Sequence, residues 1–120
     1  MISPSQIVSI HPYFKVQPGR MTEAKAILNR FVASTTAEKG NLYYDFTIRE
    51  NTVFCREAYI GADGLITHLG NIGPILDDFL KLAEVVRLEV HGSASELEKL
   101  RGPLGPMNPE WYVFECGVTR

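Results

Sequence analysis

The sequence predicts an α+β fold in which helices cover one face of an antiparallel β-sheet. Several short runs alternate between apolar and polar residues, as half-buried strands do. Between these runs lie segments whose apolar residues recur every three or four positions, as in amphipathic helices. At 120 residues, with 45% hydrophobic and 22% charged residues, the chain has the size and composition of one globular domain. We therefore expect residues 1–120 to form a single domain.

The chain begins with a predicted strand followed by a helix. Residues 7–16 alternate, so one face of this strand should be apolar. Pro12 cannot donate a backbone hydrogen bond, which favours a sheet edge or a bulge at this point. From Arg20 to about Glu38 the apolar residues have helical spacing, and the polar turn at 39–41 ends the helix.

Residues 42–60 form two alternating runs around Glu50 and Asn51, which is the pattern of a β-hairpin. Alternation also divides each run into two faces. In the first run, the residues expected to face the helices are Leu42, Tyr44, Phe46 and Ile48. In the second run, the residues expected to face the helices are Phe54, Ala58 and Ile60, and those expected on the opposite face are Val53, Cys55, Glu57 and Tyr59.

A second helix is predicted from Asp63, a suitable N-cap residue, to about residue 83. Gly70 and the pair at 73–74 should bend or break this helix near its middle. Residues 85–92 alternate again and predict a fourth strand. The residues of this strand expected to face the helices are Val86, Leu88 and Val90.

Strand, helix, strand, strand, helix, strand is the order of the ferredoxin-like βαββαβ unit, which would occupy residues 7–92. Residues 93–120 would form a C-terminal extension, with a short helix over 93–102, a loop rich in proline and glycine, and a last strand over 110–117. Both helices of a ferredoxin-like unit pack on one face of the antiparallel sheet. The second face therefore stays open.

This open face is predicted to combine aromatic and ionisable side chains. It is too apolar to remain in water and too charged for an ordinary core. We expect a second copy to pack on it face to face, which gives a homodimer with paired pockets. The residues expected on the open face are Ser9, His11, Tyr13, Tyr43, Asp45, Thr47, Cys55, Glu57, Tyr59, Arg87, Glu89 and His91.

Charge and hydropathy narrow the choice of partners. The formal net charge is -2 and no basic stripe is present, which disfavours nucleic acid. No apolar run approaches the roughly 18 residues that cross a bilayer, and the first residues lack the pattern of a signal peptide. We expect a cytoplasmic protein without membrane contact. Cys55 and Cys116 have no metal-binding spacing and are expected to be free thiols.

A short motif indicates a known family. The hairpin sequence GNLYYDF precedes Glu57-x-Tyr59, and a turn and a helix with Leu65 and His68 follow. Over about residues 7–92 the chain resembles the antibiotic biosynthesis monooxygenase family of dimeric α/β-barrel proteins. The resemblance implies a monooxygenase that oxidises a quinol or phenol without a cofactor, and it points to Glu57, Tyr59 and His68 as catalytic residues. Tyr59 replaces the commoner tryptophan and the first strand lacks an asparagine, so haem breakdown is disfavoured.

The residue types themselves leave alternatives open. His68 is suited to act as a general base near neutral pH, or to bond a backbone carbonyl at the helix bend. Glu57 would either pair with Arg87 in the barrel interior or stay unpaired, with a raised pKa, and accept a proton.

A small aromatic ligand is the expected partner of the pocket, which aromatic walls and a few polar groups would form. No ligand spacing supports a metal, and we expect no cofactor. A non-catalytic dimeric domain, with a binding, structural or regulatory role, is the alternative. The candidate ligand-binding residues are His11, Tyr13, Tyr43, Asp45, Arg87 and His91.

Overall fold

The computed structural model describes residues 2–120 as a five-stranded sheet with three α-helices. The elements in chain order are β1 (Ile7–Val16), α1 (Met21–Thr35), β2 (Asn41–Arg49), β3 (Thr52–Ile60), α2 (Gly61–Phe79), β4 (Ala83–Gly92), α3 (Ala94–Leu104) and β5 (Glu110–Val113). The order across the sheet is β2-β3-β1-β4-β5. The first four strands are antiparallel, and β5 is parallel to β4. The α+β class and the ferredoxin-like βαββαβ unit with its added helix and strand are thereby confirmed.

Pro12 lies in the central strand of the sheet rather than at an edge. The pairing of β1 with β4 shifts register between Tyr13 and Phe14, directly after the proline. A bulge at this point accommodates the missing backbone donor. Because of the shift, Val85 pairs with Phe14 and faces the helices, while Val86 is exposed. The prediction that Val86 faces the helices is therefore wrong.

The two faces of β3 are the reverse of the prediction. Tyr59 pairs with Val8 and Glu57 pairs with Ile10, and directly opposed residues lie on the same face of a sheet. Glu57 and Tyr59 are consequently buried under the helices together with Cys55. The open face receives the alternate residues of β3 instead, Phe54 and Ala58 among them. Alternation separates the two faces of a strand but does not say which face the helices cover. The prediction assigned the face with Cys55, Glu57 and Tyr59 to the open side because it carries polar groups.

The helices also differ from their predicted bounds. α2 starts at Gly61, before Asp63, and continues without a break through Pro74 to Phe79. Its first turn is capped from outside, since the Ala62 N–H donates to Glu96 Oε1 of α3 at 2.8 Å. α1 ends three residues short of Glu38, at Thr35. No helix of residues 2–120 has the length and apolar character needed to cross a membrane.

The buried side chains form two clusters between the helices and the sheet. One joins Val8, Leu65 and Leu100 and includes residues of α2 and α3. The other joins Phe31 and Phe79 and includes residues of α1 and α2. α2 contributes to both clusters, so its position fixes the space that remains between them.

The start of α2 packs directly on the turn that follows α1. Gly40 O accepts a hydrogen bond from the Ile60 N–H at 2.8 Å. A Cβ atom on Gly64 would lie 3.0 Å from Gly40 O and 3.1 Å from Tyr59 Cβ. The backbone of the loop at Gly40 leaves no room for a side chain at 64. Because Gly64 precedes His68 by about one turn of α2, this contact places the loop close to His68.

We predict opposite effects for two alanine substitutions in α2. Gly64→Ala should lower the free energy of unfolding by roughly 1–2 kcal/mol, because the new methyl group meets backbone that cannot move freely. Gly70→Ala is the matched control, since nothing lies within 4 Å of its Cβ position. It should raise the free energy of unfolding by about 0.5–1 kcal/mol through helix propensity. Urea denaturation measures both changes in the free energy of unfolding. Two changes of the same sign would contradict the close packing of Gly64 against Gly40.

Candidate functional site

A narrow cavity lies where the two clusters of buried side chains meet, between the helices and the sheet. Its volume is about 60 Å³. The walls are mostly apolar and include Ile10, Phe31 and Ile72, and the lining reaches the surface at Met107, which is 43% exposed. The side chains with polar atoms on its wall are Tyr44, Cys55, Glu57 and His68. The cavity is thus an apolar space with a small group of titratable side chains.

Glu57 is a carboxyl group in the protein interior. Its residue is 5% exposed, and its Oε1 accepts a hydrogen bond from the Tyr59 hydroxyl at 2.6 Å. Burial raises the pKa of Glu57 from 4.5 to about 7, although the Tyr59 hydrogen bond opposes this shift. The side chain therefore exchanges its proton near neutral pH. The expected pair with Arg87 does not form, because Arg87 lies on the other face and binds Glu89 and Glu110.

His68 projects from α2 into the same group and is 2% exposed. Its Nε2 lies 3.5 Å from Glu57 Oε1, and its Nδ1 lies 2.9 Å from Glu38 Oε2. The rings of Tyr44 and Tyr59 pack against the imidazole at centroid distances of 5.0 and 4.9 Å. Burial lowers the pKa of His68, and the neighbouring Glu38 carboxylate works against this shift. His68 thus lies beside two carboxyl groups, and not beside the backbone carbonyl at the helix bend that was the structural alternative for this residue.

Sequence reasoning missed three members of this group. Glu38 follows α1 and was assigned only the end of a helix, yet the contact of the following turn with α2 brings it to His68. Tyr44 and Cys55 looked like ordinary strand residues. Burial raises the pKa of the Tyr44 hydroxyl and of the Cys55 thiol, so both groups are protonated at neutral pH. No spacing in the sequence signals these contacts, since they join residues of separate elements.

The six candidate ligand-binding residues lie on the opposite face of the sheet and do not line the cavity. Three of them, Asp45, Arg87 and His91, pair there with charged neighbours. Arg56 Nε donates to Asp45 Oδ1 at 2.8 Å, and Glu89 binds both Arg87 and His91 at 2.9 Å. The structure thus brings Glu57, Tyr59 and His68 together, and it separates them from His11, Tyr13, Tyr43, Asp45, Arg87 and His91.

No protein-family model matches the chain, and no curated protein matches it in sequence. Solved structures share its fold. A candidate antibiotic biosynthesis monooxygenase from Caulobacter crescentus is 19% identical with a TM-score of 0.66, and the match covers 72% of this chain and 89% of that one. SnoaB, a cofactor-independent oxygenase from Streptomyces nogalater, is 16% identical with a TM-score of 0.63, and the match covers 71% of this chain and 90% of SnoaB.

MupZ from Pseudomonas fluorescens is more similar in sequence. It is 38% identical with a TM-score of 0.91, over 96% of this chain and 95% of MupZ. The chain belongs to the same family as MupZ, and it shares its fold with the candidate monooxygenase from Caulobacter crescentus and with SnoaB. The match with MupZ spans nearly the whole chain, whereas SnoaB matches only about as much of the chain as the βαββαβ unit occupies. The C-terminal extension matters for the site, because its residues Leu104 and Met107 line the cavity.

The raised pKa of Glu57 predicts a pH-dependent cost to stability. The folded state holds this proton up to about pH 7 and the unfolded state only to about 4.5. The contribution of Glu57 to the free energy of unfolding is therefore fully present below pH 4.5, and it is lost as the pH rises through 7. We expect Glu57→Gln, which cannot ionise, to raise the free energy of unfolding by roughly 2–3 kcal/mol at pH 8 and little at pH 4.5.

Urea denaturation of both proteins at the two pH values measures this difference. His68, whose lowered pKa makes the fold less stable as the pH falls through 6.5, is present in both proteins. Glu98→Gln is the control, because the Glu98 side chain is 79% exposed. An equal effect of Glu57→Gln at both pH values would show that the carboxyl group is not raised in pKa.

Proposed function

We propose that the chain is a cofactor-independent monooxygenase in which a buried carboxyl and imidazole pair removes a proton from a neutral phenol or hydroquinone. The observation that carries the proposal is the position of Glu57 and His68. They lie 3.5 Å apart on the wall of an apolar cavity. Among residues 2–120, the ion pairs of these two side chains involve no lysine or arginine. With the pKa of Glu57 at about 7, the pair can exchange protons at neutral pH, where general bases are most effective.

The walls of the cavity support a neutral and apolar substrate. No lysine or arginine lines it, so a phosphate or carboxylate on the ligand would lose its water without gaining a partner. The volume of about 60 Å³ is below the roughly 150 Å³ of a cavity that admits benzene. A ring therefore requires the cavity to widen. Met107 at the surface end is flexible and can move aside.

The proposed reaction starts when the substrate O–H bond breaks and its proton passes to His68 Nε2 or to Glu57. The electron-rich anion then reduces O₂ and forms a new C–O bond. The second oxygen atom leaves as water with two hydrogens from the substrate, and the ring becomes a quinone. O₂ is the oxidant and the substrate is the reductant. The protein contributes orientation and proton transfer, and the Tyr59 hydroxyl stabilises charge on Glu57.

Oxygen consumption by the purified protein tests this function. With a panel of hydroquinones and phenols, we expect turnover that rises with pH, through about 7 where Glu57 accepts the proton and below 6.5 where His68 accepts it. His68→Ala and Glu57→Gln should each lower kcat by about 100-fold or more, as loss of a general base does. Glu98→Gln controls for the removal of an exposed carboxylate and should leave the rate unchanged. No oxygen uptake with any substrate, or equal rates in all variants, would exclude the proposed roles.

A domain without catalysis, with a binding or a structural role, is the second candidate, and the small size of the cavity, which admits no ring unless it widens, favours it. Here the hydrogen-bonded group of Glu38, His68, Glu57 and Tyr59 would serve the fold alone. Calorimetric titration with the same phenols separates the two functions. Binding without oxygen consumption, and with affinity unchanged in His68→Ala, would favour the second candidate.

We further propose that a second copy of the chain covers the open face of the sheet. Four aromatic residues lie on this face: Tyr43, which is 51% exposed, Tyr13 and Phe54, which pack against each other, and Tyr112 of β5. Several charged residues of this face are already paired with one another, Asp45 with Arg56 and Arg87 with Glu89 for example. Their pairing lowers the cost of removing the face from water.

The dimer makes a prediction about two surface substitutions. Light scattering at micromolar concentration should give the mass of two chains. Tyr13→Asp places a charge at the centre of the open face and should shift the mass towards one chain. Ile66→Asp replaces an exposed apolar residue on α2 and should leave the dimer intact. A wild-type protein of one-chain mass, or dissociation by Ile66→Asp alone, would contradict this interface.

A further inference from the structure

The Glu38 carboxylate is held by two residues of α2, His68 and Asn71. Its Oε2 accepts a hydrogen bond from Asn71 Nδ2 at 2.7 Å and lies 2.9 Å from His68 Nδ1, while its Oε1 lies 3.1 Å from the same nitrogen. Asn71 is itself fixed by Ser34 of α1, whose hydroxyl donates to Asn71 Oδ1 at 2.9 Å. The Glu38 side chain is 6% exposed. One buried carboxylate is therefore fixed against one nitrogen of the imidazole.

This arrangement decides which nitrogen of His68 carries a proton. An ionised carboxylate only accepts hydrogen bonds, so the nitrogen beside it must donate. Nδ1 then bears the hydrogen, and in the neutral ring Nε2 has a free lone pair. Nε2 is the nitrogen on the side of Glu57, 3.5 Å from its Oε1. The lone pair consequently faces the group of residues that lines the cavity.

We propose that Glu38 is a positioning residue that makes His68 Nε2 the proton acceptor of the cavity. Glu38 does not line the cavity, so it acts through His68. It fixes the tautomer with hydrogen on Nδ1, and its negative charge stabilises the imidazolium ion after Nε2 has taken a proton. In that step the substrate O–H bond breaks, the Nε2–H bond forms, and the Nδ1–H bond stays intact. This inference rests on the proposed function and assigns the base within it.

Other titratable groups also face His68. Glu57, Cys55 and Tyr59 do so from β3, and Tyr44 does so from β2. On the outer side, the groove that Glu38 lines also contains Lys39 and Asp63. Burial raises the pKa of Cys55, Tyr44 and Tyr59, so among the groups on the inner side only Glu57 titrates together with His68. Replacing Glu57 by Gln therefore isolates the titration of His68 on that side.

Nitrogen-15 NMR of the histidine side chains tests the proposal without any substrate. In the intact protein at pH 8 we expect His68 to show hydrogen on Nδ1. Glu38→Ala should shift His68 towards the other tautomer. It should also lower the His68 pKa further, measured in the Glu57→Gln background. Glu38→Gln keeps an oxygen acceptor but no charge, so it should retain the tautomer and still lower the pKa. Glu98→Gln should change neither property.

Kinetics on the active substrate complete the test. Glu38→Ala should lower kcat by roughly tenfold or more, as does the loss of a residue that orients a reacting side chain. KM should change little. A wild-type ring with hydrogen on Nε2, or a tautomer and pKa that Glu38→Ala leaves unchanged, would overturn the inference. If Glu38→Ala does not fold, the His68 pKa in Glu38→Gln decides: a lowered pKa supports the inference, and an unchanged pKa overturns it. The NMR result expected here, without oxygen consumption, would support the role of Glu38 and reject the monooxygenase.

Discussion

The burial of Glu57 without a cationic partner is the constraint on which the rest of the site depends. A carboxyl group removed from water either becomes neutral or obtains hydrogen-bond donors. The structure combines both solutions, since the pKa of Glu57 is raised to about 7 and the Tyr59 hydroxyl donates to it. Such a group costs stability at neutral pH. A purely structural core has no need for this cost, whereas a proton acceptor in an apolar cavity depends on it.

The two faces of the sheet treat their charged groups in different ways. On the open face, Arg56, Arg87, Asp45 and Glu89 form ion pairs with little burial of the arginines. Under the helices, carboxyl groups meet an imidazole and two phenols. Pairs of the first kind suit a surface that another chain can cover. Groups of the second kind can gain or lose protons near neutral pH, which suits proton transfer.

The C-terminal extension is part of the same interior. α3 caps the first turn of α2 through Glu96, and Leu104 and Met107 close the cavity on one side. The match with MupZ covers 96% of the chain, while SnoaB matches about the share that the βαββαβ unit occupies. In this chain, part of the cavity wall therefore comes from residues outside the βαββαβ unit.

The order of the elements and the class of the fold follow from local patterns in the sequence. The alternation over β1 and the helical spacing over α1 reflect local periodicities that tertiary contacts did not override. The sequence also singled out Glu57, Tyr59 and His68 through a motif that lies within β3 and the start of α2.

The orientation of these residues and their contacts depend on how the elements pack against one another. Alternation in β3 defined two faces, but the pairing of Glu57 with Ile10 settled which face lies under the helices. In the same manner, the register shift after Pro12 places Val86 on the open face and not under the helices. Glu38 reaches His68 because two glycines let backbone approach backbone between the turn and α2. Such contacts join residues about 30 positions apart, and a periodic pattern carries no information at that distance.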